Sequence, residues 1–238
     1  MRRMQHLGMD ICIVGGGPVG ASFALSLART GLELSLVEFN PPRQVEDPSE
    51  WDSRVFAISP RSRAFLESLQ AWSALDAARL SPVRRMLVFG QSGSRIEFSA
   101  YEAGVSELAC IVEAGALSGA LWMKLQHQGK LELVCSDAPR RLEIARGSAR
   151  LELQSGRIVG AHLIVGADGA NSFVREAAGL KCDSRPCGQL GVVANFECER
   201  PHSETAFQWF RADGVLAWLP LPGARISMVW STPDEHAA

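Results

Sequence analysis

A glycine-rich turn near the amino terminus places the strongest constraint on the fold. The stretch Gly-Gly-Gly-Pro-Val-Gly, residues 15–20, follows an apolar run and precedes an uncharged segment. We predict one buried strand over Asp10–Val14 and a second one over Leu34–Val37. Between them we predict a helix over Pro18–Thr30 that ends with Gly31 at its C-cap position. A strand, a helix and a strand over so short a distance form a βαβ unit, whose two strands are parallel.

This turn has the spacing of a dinucleotide-binding fingerprint. Gly15 allows the tight turn, Gly17 lets the backbone approach a pyrophosphate, and Gly20 packs the helix against the strand. Pro18 suits the first helical position, where the helix N-terminus favours a phosphate. Glu38 lies 18 residues beyond Gly20, at the end of the second strand, where it can accept hydrogen bonds from ribose hydroxyls. The pattern therefore predicts dinucleotide binding rather than a purely structural turn. The acid disfavours NADP here but does not separate NAD from FAD.

The composition excludes several classes of protein. The chain has 238 residues and a formal net charge of −2, with 47% hydrophobic and 21% charged residues, as in ordinary globular proteins. It has no long block of Lys and Arg, so we expect no nucleic-acid partner. Its six cysteines contain no Cys-x-x-Cys pair. This spacing favours neither a disulfide framework nor a metal site, and it fits a reducing cytoplasm.

The uncharged run from Ile11 to Ala28 follows two arginines and could be mistaken for a signal peptide or a membrane span. The glycines and Pro18 within the run would interrupt a spanning helix. We therefore interpret the run as part of the buried βαβ unit.

The rest of the chain predicts more strands than helices. Asn40–Asp52 is polar and contains proline, which indicates a loop. After Gly188, four strand-like runs follow one another, which indicates antiparallel sheet. In chain order the predicted elements are a strand over Arg54–Ile58, a helix from Pro60 to Leu69 capped by Ser59, a hairpin of Met86–Phe89 and Arg95–Phe98, a helix from about Ala116 to Gln128, a hairpin of Arg141–Ala145 and Ala149–Leu153, and strands over His162–Val165, Leu190–Phe196, Ala206–Phe210, Val215–Leu219 and Ile226–Trp230.

Two further motifs each have a simple local explanation. In the segment from Asp52 to Ser59, Arg54 could be one of many solvated arginines on a surface loop. In Gly166-Ala-Asp-Gly169, a strand ends at Asp168, whose carboxylate could merely cap the next helix.

Together with the glycine turn, these motifs resemble those of the single-component flavoprotein aromatic hydroxylases. Within that group the chain is most similar to the ubiquinone-biosynthesis hydroxylases, over essentially its whole length from Asp10 onward. The stretches that carry this similarity are Arg54–Ser59, Ile111–Glu113 with Leu117, Ala120–Trp122, Gln189–Phe196, Phe207–Leu221 and Ser227–Ser231.

The resemblance implies an α/β fold with two domains. The first is a Rossmann-like FAD-binding domain with a parallel sheet over residues 1–185, with an inserted hairpin segment at about 82–110. The second is part of a mixed or antiparallel substrate domain over residues 186–238. The family continues with a Gly-Asp-Ala motif and a Gly-Gln-Gly segment that hold the flavin ribityl and ring, and neither occurs before Ala238.

The resemblance also assigns roles to individual residues. Gly15, Gly17, Pro18 and Gly20 would hold the pyrophosphate of FAD, and Glu38 would hold the adenosine ribose. Arg54 would reach the cofactor, while Asp168 and Gly169 would contact FAD and shape the groove where NADH or NADPH docks as a transient reductant. We assign no catalytic side chain and no metal ligand, because the flavin carries the chemistry.

The implied substrates are O2 and a polyprenylated phenol or quinol. The implied location is the cytoplasm, and the lipid substrate is compatible with contact to a membrane surface or a biosynthetic complex. Two positions depart from the family pattern: Ala114 and Ser118 stand where the family usually has Asn and Gln.

We therefore expect a chain that lacks the C-terminal third of the family's enzymes, binds FAD weakly or not at all, and does not turn over. The alternative function is a non-catalytic fragment that keeps only the adenosine half of the site. A halogenase or prenyl reductase on the same scaffold is a third hypothesis, although the Trp-x-Trp-x-Ile stretch of flavin halogenases is absent.

Overall fold

The computed structural model describes residues 8–42 and 50–236. They divide into two compact units. The first comprises the described parts of residues 1–44, 69–71 and 118–183, and the second comprises the described parts of residues 45–68, 72–117 and 184–238. The predicted domain boundaries at 185 and 186 stay a prediction.

The described elements, in chain order, are mostly strands. They are β1 (Met9–Val14), α1 (Pro18–Leu27), β2 (Leu34–Glu38), β3 (Val55–Ile58), α2 (Pro60–Ser68), β4 (Ser81–Val83), β5 (Arg85–Phe89), β6 (Arg95–Ser99), β7 (Ala109–Glu113), α3 (Ala114–Leu125), β8 (Leu131–Cys135), β9 (Pro139–Ala145), β10 (Ser148–Leu153), β11 (Ile158–Gly166), α4 (Phe173–Ala177), β12 (Gln189–Glu197), β13 (Thr205–Arg211), β14 (Gly214–Leu221) and β15 (Arg225–Pro233), with short 3-10 turns at Trp72–Ala74, Ala77–Arg79, Gln91–Gly93 and Asp234–His236.

The first unit is built on one mixed sheet with the strand order β8-β2-β1-β11-β10-β9. Strands β8, β2, β1 and β11 are parallel, whereas β9, β10 and β11 form an antiparallel meander. The second half of β1, Cys12–Val14, and the apolar residues of β2 are buried, as the continuous hydrophobic runs indicate. The predicted βαβ unit and α/β class are confirmed. Strand β8 was not foreseen, because the five residues Leu131–Cys135 form a short run whose pattern does not by itself distinguish a strand from the end of the preceding helix.

The predicted ends of two helices are wrong. Helix α1 ends at Leu27 rather than Thr30, because the next residues form a turn in which Thr30 bonds the Leu27 carbonyl through both its amide and its hydroxyl. Helix α3 begins at Ala114 rather than 116, since the Ala114 amide finds an acceptor on another segment, the carbonyl of Arg54. Residues 43–49 of the predicted loop lie outside the described residues.

The second unit contains a six-stranded sheet with the order β12-β15-β14-β13-β5-β6 and a three-stranded sheet with the order β3-β7-β4. The hairpin predicted at 86–98 is confirmed as β5 and β6, and β5 pairs in parallel with β13. One core cluster of this unit includes Val83 and Ile111 of the small sheet with Ala206 and Leu221 of the large one. Val55, the first residue of β3 and the neighbour of Arg54, packs against this cluster.

One face of the large sheet carries an aromatic cluster. The Trp209 ring stacks on Phe89 at 5.5 Å and meets Trp218 edge-on at 4.9 Å, the distances joining ring centroids. Trp218 is 38% exposed, whereas Phe207, Trp209 and Trp230 are half-buried. Within residues 8–42 and 50–236, no helix is long and apolar enough to cross a membrane.

Candidate functional site

Among the three glycines of the fingerprint, the backbone leaves no room for a side chain at Gly15 and Gly20, whereas the position of Gly17 is open. Gly15 has a φ of +102°, and a Cβ atom there would overlap the Ala167 carbonyl. A Cβ atom on Gly20 would overlap the Gly15 carbonyl. Gly17 differs from both, because it is exposed and a Cβ atom on it would have no neighbour within 4 Å. The protein itself does not require glycine at position 17.

Gly16 is a part of the site that the sequence analysis did not single out. Its carbonyl accepts the indole N–H of Trp122 at 2.7 Å, and its amide donates to Glu38 Oε2 at 2.5 Å. A Cβ atom on Gly16 would lie 2.5 Å from Cζ2 of Trp122. The sequence contains no local signal for this contact, because Trp122 is on α3, far along the chain.

Glu38 stands at the end of β2, as predicted, and its carboxylate braces the turn. Besides the Gly16 amide, it accepts the Asn40 amide on Oε1 at 2.7 Å. Each carboxylate oxygen can accept more than one hydrogen bond, so both oxygens keep acceptor capacity. The half-buried side chain can therefore fix the backbone and still accept ribose hydroxyls.

The start of α1 fits the pyrophosphate of a dinucleotide. Gly17 is the N-cap and Pro18 stands in the first turn, where no side chain caps the helix and no acidic residue is present. The positive end of the helix dipole therefore faces outward beside an exposed position without a side chain. The described residues leave the space at Gly17 open, so a phosphate group could approach the backbone there.

Asp168 packs beside the same turn through its backbone. A Cβ atom on Gly15 would lie 2.7 Å from the Asp168 Cα, and the Ala167 amide donates to the Val14 carbonyl at 2.7 Å. The fold thus brings the glycine turn and the Gly166-Ala-Asp-Gly169 motif together.

The side chain of Asp168 performs the local function that the sequence suggested. Its carboxylate accepts the Ser172 hydroxyl and the Val174 amide, the latter at 3.2 Å, at the start of α4. Gly169 is exposed with a φ of +87°, and a Cβ atom there would meet nothing within 4 Å. A contact of either residue with FAD stays a prediction.

Arg54 belongs to the second unit and combines a fixed backbone with a free side chain. Its amide donates to Asp52 Oδ1 at 2.9 Å, and its carbonyl accepts the Ala114 amide at 2.9 Å. The exposed guanidinium has no ion-pair or hydrogen-bond partner in the described part of the chain.

Below this segment lies a buried ion pair. Glu113 is 3% exposed and accepts Arg79 Nε on Oε2 at 2.7 Å and Arg79 Nη2 on Oε1 at 2.8 Å. The hydrogen bonds to Glu113 raise the pKa of Arg79 above its ordinary value. In the sequence, Glu113 stands out only as part of the Ile-Val-Glu stretch, and no pattern marks Arg79.

The chain is similar in sequence to curated relatives over nearly its whole length. The chain is 34% identical to the 3-demethoxyubiquinol 3-hydroxylase of Escherichia coli (strain K12), covering 95% of this chain and 58% of that protein. It is 32% identical to the ubiquinone hydroxylase UbiL of Rhodospirillum rubrum, covering 95% of this chain and 52% of that protein. The chain therefore spans between half and three fifths of the length of these two relatives.

Solved structures show the same fold at low sequence identity. PqsL of Pseudomonas aeruginosa matches with a TM-score of 0.78 and 21% identity, over 96% of this chain and 62% of that one. An HpxO variant of Klebsiella pneumoniae in complex with FAD matches with a TM-score of 0.73 and 16% identity, over 94% of this chain and 57% of that one. The family model described as FAD binding domain matches residues 8–237. The chain belongs to this FAD binding domain family.

Proposed function

We propose that this chain binds the ADP moiety of FAD at the glycine turn of its first unit and serves an enzyme that hydroxylates an aromatic or quinol ring. The observation that carries the proposal is the open position at Gly17. Gly15 and Gly20 are glycine because the protein's own backbone excludes any side chain, whereas at Gly17 nothing in the described protein does so. A ligand that needs close access to the backbone explains this glycine.

The described residues would divide the binding task. The start of α1 would hold the pyrophosphate, and the Glu38 carboxylate would accept ribose hydroxyls. Arg54, Asp168 and Gly169 would contact the cofactor, as the resemblance implies. Bound flavin, once reduced by NADH or NADPH, would supply the chemistry that transfers one oxygen atom from O2 to the ring. The protein's contribution would be to bind, orient and exclude water.

The names of the relatives support a substrate class for the proposal. Their names describe hydroxylases of ubiquinol-type compounds, so we propose a polyprenylated phenol or quinol as the ring that is hydroxylated. A substrate of this kind would partition into lipid, and we extend the proposal to a peripheral contact with a membrane or with a biosynthetic complex.

Two valine substitutions test the binding proposal. In Gly17→Val, the Cβ atom would meet none of the described residues within 4 Å, so the chain should fold, while the branched side chain would occupy the phosphate position and lower the affinity for ADP and FAD about tenfold or more. Gly129→Val is the matched control, because Gly129 is also exposed and a Cβ atom there also meets nothing within 4 Å. Thermal unfolding and calorimetric titration of both variants give the answer. A Gly17→Val protein with wild-type affinity would refute the placement of the pyrophosphate.

A turnover assay tests the hydroxylase proposal. The 238-residue chain is given FAD, NADH or NADPH, isotopically labelled O2 and a short-chain polyprenyl phenol, and the product is examined by mass spectrometry. Labelled oxygen in the ring supports the hydroxylase. Binding of ADP and FAD without any labelled product would instead assign this chain the adenosine-binding function alone.

A further inference from the structure

The segment that carries Arg54 is held by hydrogen bonds from three different elements. The Asp52 amide donates to Glu113 Oε1 at 2.7 Å, and the Asp52 carbonyl accepts Asn195 Nδ2 at 3.2 Å. The Asp52 carboxylate accepts the amides of Arg54 and Gly115, each at 2.9 Å. Every polar group of Asp52 therefore has a partner. Asp52 also satisfies an amide at the start of α3 that has no acceptor within the helix.

Arg79 holds the residues just before Asp52. Its Nη2 donates to the Glu50 carbonyl at 2.6 Å, and its guanidinium carbon lies 4.3 Å from the centre of the Trp51 ring. The same guanidinium binds Glu113 through two nitrogen atoms. The ion pair therefore holds the segment from Glu50 to Asp52 at two points. Glu113 accepts the Asp52 amide, and Arg79 donates to the Glu50 carbonyl.

This ion pair does something that an apolar pair could not do. A buried carboxylate is unfavourable unless it is paired and hydrogen-bonded, and well-packed apolar residues often stabilise a core equally well. An apolar side chain at 113, however, could not accept the Asp52 amide, and one at 79 could not donate to the Glu50 carbonyl. The charges are therefore best explained by the backbone geometry that they impose.

These hydrogen bonds fix the backbone of Arg54 but leave its side chain unpaired among the described residues. Arg54 is bonded through its amide and its carbonyl, while its guanidinium is exposed and has no partner among the described residues. Fixing the backbone in advance reduces the entropy that is lost when such a side chain binds a ligand. We propose that Glu113 and Arg79 are positioning residues that act through Asp52 to fix the Arg54 backbone and leave its guanidinium available to an anionic ligand, for which FAD serves as the probe. This inference rests on the proposed function.

A double-mutant cycle separates positioning from general stability. Arg54→Ala and Glu113→Gln should each weaken FAD binding, measured by flavin fluorescence, by about tenfold. If Glu113 acts through Arg54, Glu113→Gln should have no further effect in the Arg54→Ala background. Asp52→Ala, at a half-buried position, should show the same dependence on Arg54 and replaces Glu113→Gln if that variant does not fold.

The control is a similar ion pair in the same unit. Glu107 accepts Arg63 Nη1 at 2.7 Å, and Arg63 lies 4.9 Å from the centre of the Trp72 ring, but neither residue bonds the segment from Glu50 to Arg54. Glu107→Gln should therefore lower stability without changing FAD affinity.

Hydrogen exchange gives a readout that needs no cofactor. The Asp52 and Arg54 amides should exchange faster in Glu113→Gln than in the wild type, and at the wild-type rate in Glu107→Gln. Unchanged exchange in Glu113→Gln would overturn the positioning function even if the wild-type chain binds no FAD. Equal losses of FAD affinity from Glu113→Gln with and without Arg54 would overturn it as well.

Discussion

The indole N–H of Trp122 donates to the carbonyl of Gly16 at 2.7 Å, joining two residues that are 106 positions apart in the chain. Trp122 is buried, and its ring fills the space where a side chain at position 16 would stand. Two side chains therefore stabilise the glycine turn at Gly16. Trp122 of α3 donates to its carbonyl, and Glu38 at the end of β2 accepts its amide. The conformation of the turn is therefore held by side chains as well as by its glycines.

Replacing Trp122 by Phe should weaken this support. The Gly16 carbonyl would lose its partner in a buried environment, so the free energy of unfolding should fall by about 1–3 kcal/mol. Affinity for ADP should fall with it, because the turn loses a fixed position. Trp230→Phe is the control, since the buried Nε1 of Trp230 has no hydrogen-bond partner among the described residues. Urea unfolding and ADP titration measure both effects, and equal stability losses in the two variants would argue against this support.

Glu38→Ala should weaken ADP binding by about 1–3 kcal/mol, since ribose hydroxyls would lose their acceptor. The variant also loses the bonds to the Gly16 and Asn40 amides, so ADP alone does not isolate the ribose contact. A 2′,3′-dideoxy analogue of ADP does isolate it. The wild type should prefer ADP over the analogue, and Glu38→Ala should bind both with similar affinity. A preference that survives the substitution would remove the ribose assignment.

Asp168 and Ser172 can be separated by substitution. Both belong to the cap of α4, because the Asp168 carboxylate accepts the Ser172 hydroxyl and the Ser172 hydroxyl oxygen accepts the Arg175 amide at 3.1 Å. Ser172→Ala and Asp168→Ala should each lower the free energy of unfolding by about 0.5–2 kcal/mol. Only Asp168→Ala should also lower FAD affinity if Asp168 contacts the cofactor. Equal FAD affinity in both variants would leave Asp168 a purely structural cap.

The cysteines should react in an order set by burial. Burial raises the pKa of the Cys110 thiol to about 11 and also raises the pKa of Cys12. The thiolate is the reactive form, so at about pH 8 both groups remain protonated, and both are buried as well. Iodoacetamide followed by peptide mass spectrometry should therefore modify the exposed Cys135, Cys182 and Cys187 before Cys12 and Cys110. Early labelling of Cys12 would contradict its position in the core.

The substitution Cys12→Ser tests whether Cys12 of β1 is a packing residue rather than a binding residue. Cys12 is fully buried in the core cluster of the first sheet. The substitution should lower stability while leaving ADP and FAD affinity close to wild type, because the thiol faces the core rather than the turn. A large loss of affinity with unchanged stability would mean that Cys12 takes part in binding.

The sequence by itself determined the βαβ unit, its glycine turn and the acid at the end of the second strand. These features depend on local physics: apolar runs form buried strands, glycine allows positive φ, and proline favours a helix start. The hairpin at 86–98 and the strands after Gly188 were equally visible, because their apolar residues and turn residues are neighbours in the chain.

Only the tertiary structure decided what surrounds these features. Trp122 reaches Gly16 from 106 residues away, and Glu113 bonds the Asp52 amide from 61 residues away. The tertiary structure also distinguishes Gly17 from Gly15. Ala167 and Asp168, from a distant segment, crowd Gly15, whereas none of the described residues lies within 4 Å of a Cβ atom at Gly17. Contacts of this kind depend on which strands pair and which side chains then share a volume, and neither is encoded in any short window of sequence.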